Sequence, residues 1–216
     1  MKDLYIFSGL GADHCVFEKM NFSNHKVTFI EWIAPETNES ISDYALRLTS
    51  QITSEKPILI GLSFGGMIAV EVAKHIVVEK VILIASAKEK SEIPLYYRVL
   101  GKLKIDTFIP AKLLTTPNTI LNWAFGVKTK YNKRLLAKII RETNPRFLKW
   151  AIRKILTWHP DTDMKNIIHV HGTRDRILPF RNIENPVKIL GGGHFMTMNQ
   201  PDEVSKWVLE AIENRI

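Results

Sequence analysis

The chain predicts an α/β architecture built on a mostly parallel sheet, and three observations carry that prediction. Short apolar runs alternate with helix-patterned segments along much of the 216 residues. The stretch Gly61-Leu62-Ser63-Phe64-Gly65-Gly66 follows the apolar run 57–60 and precedes a helical pattern, so one strand turns sharply into a helix around a serine. Gly172-Thr173-Arg174-Asp175 and Gly191-Gly192-Gly193-His194 also sit just past strand-like runs. In an open parallel sheet that is the edge where ligands bind.

The elements come in this order. Strand candidates are residues 4–7, 26–32, 57–61, 80–85, 166–171 and 187–190. The first opens into Ser8-Gly9-Leu10-Gly11. Over 41–54, Ile41, Tyr44, Ala45, Leu48 and Ile52 fall on one helical face, and Ser40 with Asp43 three residues later forms a capping start. A helix over 67–75 follows the serine turn. Segment 86–158 has no strand pattern, but 133–140 and 145–158 read as helices. The last helix begins near Pro201, with Asp202 and Glu203 in its first turn, and buries Val204, Trp207, Val208, Ala211 and Ile212. No internal repeat or low-complexity stretch interrupts the chain.

Length and composition bound the function. A chain of 216 residues makes one domain, 1–216, with a full core. No apolar run approaches a membrane span. The first residues enter a strand directly, without a signal-peptide pattern, and the single cysteine, Cys15, excludes an internal disulfide. Together these give the expectation of a cytoplasmic protein. The net charge of +8 is unevenly spread: 86–158 holds 16 Lys and Arg against four acids, so the remainder is net acidic. A solvated helical surface accounts for such charge; so does attraction of an anionic substrate, an acidic carrier protein or an anionic lipid surface. No nucleic-acid-binding module is present, so nucleic acid is not expected.

The order Ser63, Asp175, His194 is a chemical pattern. A serine hydroxyl is a poor nucleophile until a histidine takes its proton, and the histidine needs a carboxylate to hold its tautomer. With that order, the G-x-S-x-G turn and the placement of each residue past a strand, the chain resembles the α/β-hydrolase superfamily over nearly its whole length. The resemblance implies a mostly parallel sheet of about six strands with helices on both faces, lacking the family's antiparallel N-terminal pair. It implies Ser63 as nucleophile, Asp175 as acid, His194 as base, and the backbone amides of Leu10 and Phe64 as oxyanion donors. Ser8 stands where the family usually has histidine, and the donors, being backbone groups, do not depend on it. Segment 86–158 stands where the family inserts a helical lid.

The expected function is therefore a serine hydrolase of a small-molecule carboxylic ester or thioester, acting through an acyl-enzyme on Ser63, with no cofactor or metal. Alternatives are a carrier-protein- or coenzyme-A-dependent acyl thioesterase using the basic lid, and a receptor-like member with little turnover. Plainer readings exist for each residue: a turn serine, a turn-forming aspartate, a loop histidine. Asp161 and Asp163 are fallback acids at the wrong end of their strand. His169 and His171 alternate on one strand, a structural face rather than a metal site, since no third ligand has matching spacing. His14 and Cys15 are exposed loop residues or pocket lining; Phe195, Met196 and Met198 pack on the last helix or touch substrate. Trp123, Trp150 and Trp158 wall an acyl pocket or hold the lid together. The Gly9-Leu10-Gly11 pattern is too incomplete for dinucleotide binding.

Overall fold

The computed structural model describes residues 1–104, 108, 110, 114–160 and 166–215. Among them six strands form one sheet: β1 (Asp3–Phe7), β2 (Lys26–Ile30), β3 (Ile58–Leu62), β4 (Lys80–Ile84), β5 (Ile167–Gly172) and β6 (Val187–Ile189). Their order is β2-β1-β3-β4-β5-β6, and every pairing is parallel. The chain moves outward from β1 to β2, then returns past β1 to β3. The loops after β1 and β3 therefore diverge from neighbouring strands, which opens a crevice at the sheet's C-terminal edge.

Alternation along the strands builds two cores. Leu4 and Ile6 of β1, Ile58 and Ile60 of β3 and Ile82 and Ile84 of β4 face one side. There they meet Val204, Val208, Ala211 and Ile212 of the closing helix α8 (Pro201–Ile212). Tyr5, Phe7, Leu59, Val81 and Leu83 face the other side, under Tyr44 and Leu48 of α1 (Ile41–Leu48) and Ile68 and Val72 of α2 (Phe64–Val72). Covered on both faces, β3 and β4 are buried at every residue, which is why they read as continuous apolar runs.

The element boundaries differ from the sequence expectations for local reasons. Helix α1 is capped as expected, Ser40 accepting from the Asp43 amide, but regular helix stops at Leu48. A 3-10 turn comes next, and Ile52 is extended while still packing on the core. Helix α2 begins at Phe64, not 67, because the Ser63 carbonyl already accepts from the Gly66 and Met67 amides at 2.9 and 3.4 Å. Strand β2 ends at Ile30; beyond it Trp32 turns inward, donating its indole N–H to the Ala12 carbonyl and packing on Phe64. Trp207 is only partly buried on α8.

Between β4 and β5 the described residues carry no strand and four α-helices: α3 (Leu95–Lys102), α4 (Thr119–Ala124), α5 (Lys130–Glu142) and α6 (Pro145–Thr157). Asn118, Thr129 and Asn144 cap the last three by accepting from first-turn amides. Two tryptophans fasten these helices to the sheet layer. The Trp158 indole donates to Glu71 Oε1 at 2.7 Å, and the Trp150 indole to the Glu39 carbonyl at 3.2 Å with its ring 4.5 Å from that of Tyr44. Of the two roles expected for these tryptophans, Trp150 and Trp158 take the structural one. A short helix, α7 (Met196–Asn199), precedes α8, with Met196 and Met198 in the core. The fallback acids Asp161 and Asp163 lie outside the described residues.

Candidate active site

The site assembles where β1, β3, β5 and β6 end. The turn after β3 is tight enough that Ser63 takes φ 53° and ψ −120°, a conformation that costs an L residue energy and persists only when its surroundings hold it. They do: the Ser63 amide donates to the Ile84 carbonyl at 2.9 Å, and the Ser86 hydroxyl donates to the Ser63 carbonyl at 2.6 Å. Two glycines make the turn sterically feasible. A Cβ on Gly65 would collide with the carbonyl oxygens of Phe7 and Ser8, and one on Gly61 with the Gly65 and Gly66 main chain.

Asp175 and His194 reach the same point from β5 and β6. The Ser63 hydroxyl lies 2.8 Å from His194 Nε2, and His194 Nδ1 lies 2.7 Å from Asp175 Oδ2. With a carboxylate at Nδ1, that nitrogen carries the proton and donates it, leaving Nε2 to accept from the serine. The other carboxylate oxygen of Asp175 accepts from the Ile177 and Leu178 amides at 2.8 and 2.9 Å. Burial pushes the Asp175 carboxyl up, but the facing His194, with its hydrogen bond, and then His171 and the Leu178 amide bring it below its ordinary value. Asp175 thus stays ionised, the state in which it fixes the imidazole.

The loop after β1 completes the site. Ser8, a departure in the sequence from the usual histidine, is buried, and its hydroxyl donates to the Ala12 carbonyl at 2.5 Å. The Ala12 amide donates to the Gly9 carbonyl at 3.0 Å. The serine thus braces the loop from within. Among the described residues the Leu10 and Phe64 amides donate to no protein group, and Leu10 lines the same cavity as Ser63 and His194. Two free backbone donors beside a serine can stabilise an oxyanion.

The cavity has a volume of about 320 Å³. Its floor is the site just described; its walls come from the helices between β4 and β5, including Leu136, Ile139, Leu148 and Ile155. The wall is apolar apart from Thr143, whose hydroxyl is engaged with the Ile139 carbonyl at 2.6 Å. Phe195 lines the cavity, and the Phe125 ring meets the His194 ring edge to face at 5.3 Å. None of the tryptophans lines it among the described residues. His14 is exposed and packs on Phe29. The Cys15 thiol is pushed up to about 12 by burial, with Asp13 adding to it, so it is no nucleophile at neutral pH.

Sequence reasoning missed the group behind Asp175. His171 is fully buried, its Nε2 2.8 Å from the Leu178 carbonyl and 3.5 Å from Asp175 Oδ2. Its Nδ1 lies 3.2 Å from His169 Nε2, and His169 Nδ1 has no hydrogen-bond partner but faces Glu92 Oε1 at 3.9 Å. Burial lowers both histidines and raises Glu92. The available signal was the i, i+4 spacing of His171 and Asp175. Among the described residues no three His, Cys, Asp or Glu side chains are grouped to hold a metal ion, and no helix is long and apolar enough to cross a membrane.

The sequence profile of the alpha/beta hydrolase family matches residues 34–207. No curated protein matches the sequence. Among solved structures, the chain is similar to a thermophilic esterase from Thermogutta terrifontis, with 16% identity and a TM-score of 0.67 over 99% of this chain and 90% of that one. It is similar to the meta-cleavage product hydrolase of Pseudomonas fluorescens IP01, with 16% identity and a TM-score of 0.68 over 100% and 92% of the two chains. The enol-lactonase of Burkholderia xenovorans LB400 is also 16% identical, with a TM-score of 0.64 over 98% and 91%. At that identity the likeness establishes the fold.

Proposed function

Because this chain belongs to the alpha/beta hydrolase family, we propose that it is a serine hydrolase cleaving a carboxylic ester or thioester through an acyl-enzyme on Ser63. The observation that carries this reading is the continuous contact from Ser63 Oγ to His194 Nε2 at 2.8 Å and from His194 Nδ1 to Asp175 Oδ2 at 2.7 Å, at the floor of an apolar cavity.

Ser63 Oγ attacks the acyl carbon while His194 Nε2 takes its proton. The carbonyl oxygen becomes an oxyanion, and the Leu10 and Phe64 amides receive it; losing such a donor costs roughly 10²–10³ in rate. The oxyanion collapses, the bond to the alkoxide or thiolate breaks, and His194 returns the proton to the leaving atom. Water then attacks the ester on Ser63, giving its proton to His194, and release of the acid restores the serine. Residues 86–158 act as a lid, their apolar walls receiving the acyl group and keeping bulk water from it.

Ser63→Ala tests the reading. Turnover of a p-nitrophenyl ester should fall by on the order of 10⁶ with the melting temperature preserved. Activity retained in that variant would refute it.

A further inference from the structure

Beside the catalytic cavity lies another, of about 240 Å³, lined by Lys128, Arg174, Arg176, Asn122 and Trp123. The two share a wall. Phe125 and His194 line the catalytic cavity, while their chain neighbours Gly126 and Gly193 line the other. Two main-chain segments meet in that wall: a Cβ on Gly126 would sit 3.3 Å from the Gly193 Cα, and the Phe195 amide donates to the Phe125 carbonyl at 3.0 Å.

This cavity gathers charge of one sign. Among the described residues Lys128, Arg174 and Arg176 make no ion pair with any carboxylate. All three are exposed. Arg176 is nevertheless fixed: Nη1 donates to the Trp123 carbonyl at 2.8 Å, and the guanidinium lies 4.6 Å from the centroid of the Trp123 ring. A planar fork held in this way loses little freedom on meeting an anion. Three cations without a counter-charge repel one another, and an anion among them relieves that repulsion. Trp123, 63% exposed, is the remaining tryptophan of the lid, and it braces this cavity rather than the acyl pocket.

Chemistry says which half of a substrate lies on this side. His194 must hand its proton to the leaving atom, so the leaving group departs past His194, while the apolar cavity takes the acyl group. We propose that the Lys128–Arg174–Arg176 cavity binds an oxyanion, a phosphate or carboxylate, carried on the leaving-group half of the substrate. The assignment to a substrate rests on the serine-hydrolase reading; the binding of an oxyanion does not. Lys128 comes from the basic lid segment, but Arg174 and Arg176 flank Asp175, so the relevant charge is assembled from two parts of the chain.

Two thioesters test it: butyryl-coenzyme A and butyryl-N-acetylcysteamine share the acyl group and the leaving sulfur, and only the first carries phosphates. The ratio of their kcat/KM values should fall at least about tenfold in Lys128→Gln/Arg174→Gln relative to wild type. Added inorganic pyrophosphate should inhibit the first substrate selectively. An unchanged ratio, or equal inhibition of both substrates, would overturn the leaving-group assignment. Calorimetric titration of Ser63→Ala protein with pyrophosphate isolates the site from catalysis. Binding should appear there and weaken at least about tenfold when Lys128→Gln/Arg174→Gln is added. Absence of binding, or equal binding in both proteins, would overturn the site itself whatever the fate of the hydrolase reading. Arg176→Lys, which keeps charge but loses the fork, should give an intermediate loss in the same titration.

Discussion

Replacing Asp175 by asparagine changes a single atom type at the buried end of the contact chain, and the geometry dictates the consequence. The new amide oxygen must take the position of the carboxylate oxygen that accepts from the Ile177 and Leu178 amides, because an NH₂ there would face two donors. That puts the new NH₂ where Asp175 Oδ2 meets His194 Nδ1 at 2.7 Å. Two donors cannot share that contact, so the imidazole moves its proton to Nε2. The Ser63 hydroxyl, 2.8 Å away, then faces a donor and cannot give up its proton. A wrong tautomer of this kind costs about 10⁴ in kcat, or about 5.5 kcal/mol in the barrier. The loss in stability should be smaller, about 1–3 kcal/mol for a buried charge-assisted hydrogen bond replaced by a neutral one. Initial rates on p-nitrophenyl butyrate and a thermal melt, both at neutral pH, separate the two effects. A folded Asp175→Asn variant with kcat within tenfold of wild type would refute the assignment of Asp175 as the residue that sets the imidazole tautomer.

Packing and burial carry the other predictions. Gly65→Ala should destabilise the fold by about 3 kcal/mol or more, because the Cβ meets the backbone of Phe7 and Ser8, which cannot rotate away; a denaturant midpoint equal to wild type would contradict the tightness of the turn. Trp158→Phe leaves the buried Glu71 carboxylate with one partner fewer, and should cost about 1–3 kcal/mol in urea unfolding, whereas Trp123→Phe on the exposed face should cost less than about 1 kcal/mol. Burial holds His169 and His171 below the ordinary imidazole value, so the unfolded chain binds more protons than the folded one below about pH 6.5. Stability should be full above that pH and decline as the pH falls from it, with His169→Gln flattening the decline; Glu92, raised by burial, favours the fold only toward acid pH and partly offsets it. A melting temperature constant from pH 8 to pH 5 would contradict this.

What the sequence disclosed was what is local. The Ser63 turn is legible because strand, glycines and helix are contiguous. Asp175 and His194 are legible because each comes just after its own strand, and a parallel sheet brings all strand ends to one edge. Leu10 and Phe64 came from the family resemblance alone, as the residues whose amides would face an oxyanion. Contacts between distant segments were not legible. Trp158 finds Glu71 and Trp150 finds Glu39 across 87 and 111 residues, and nothing in the spacing of either tryptophan distinguishes an anchor from a pocket wall. Glu92 counted as one of the few acids in a basic segment, yet it is fully buried, its carboxylate accepting from the Lys88 and Glu184 amides. The cations of segment 86–158 were visible as an excess, but not that Arg174 and Arg176 join Lys128 around one cavity. Helix ends moved for local backbone reasons that residue periodicity does not carry: the Ser63 carbonyl already accepts from two helix amides, and the chain after Leu48 tightens into a 3-10 turn.

The central claim is that Ser63 is an activated nucleophile, and intact mass after treatment with a fluorophosphonate measures that most directly. Wild type should gain one phosphonyl adduct and Ser63→Ala none. Unmodified wild-type protein, correctly folded by circular dichroism, would contradict the claim, as would an adduct that persists in Ser63→Ala.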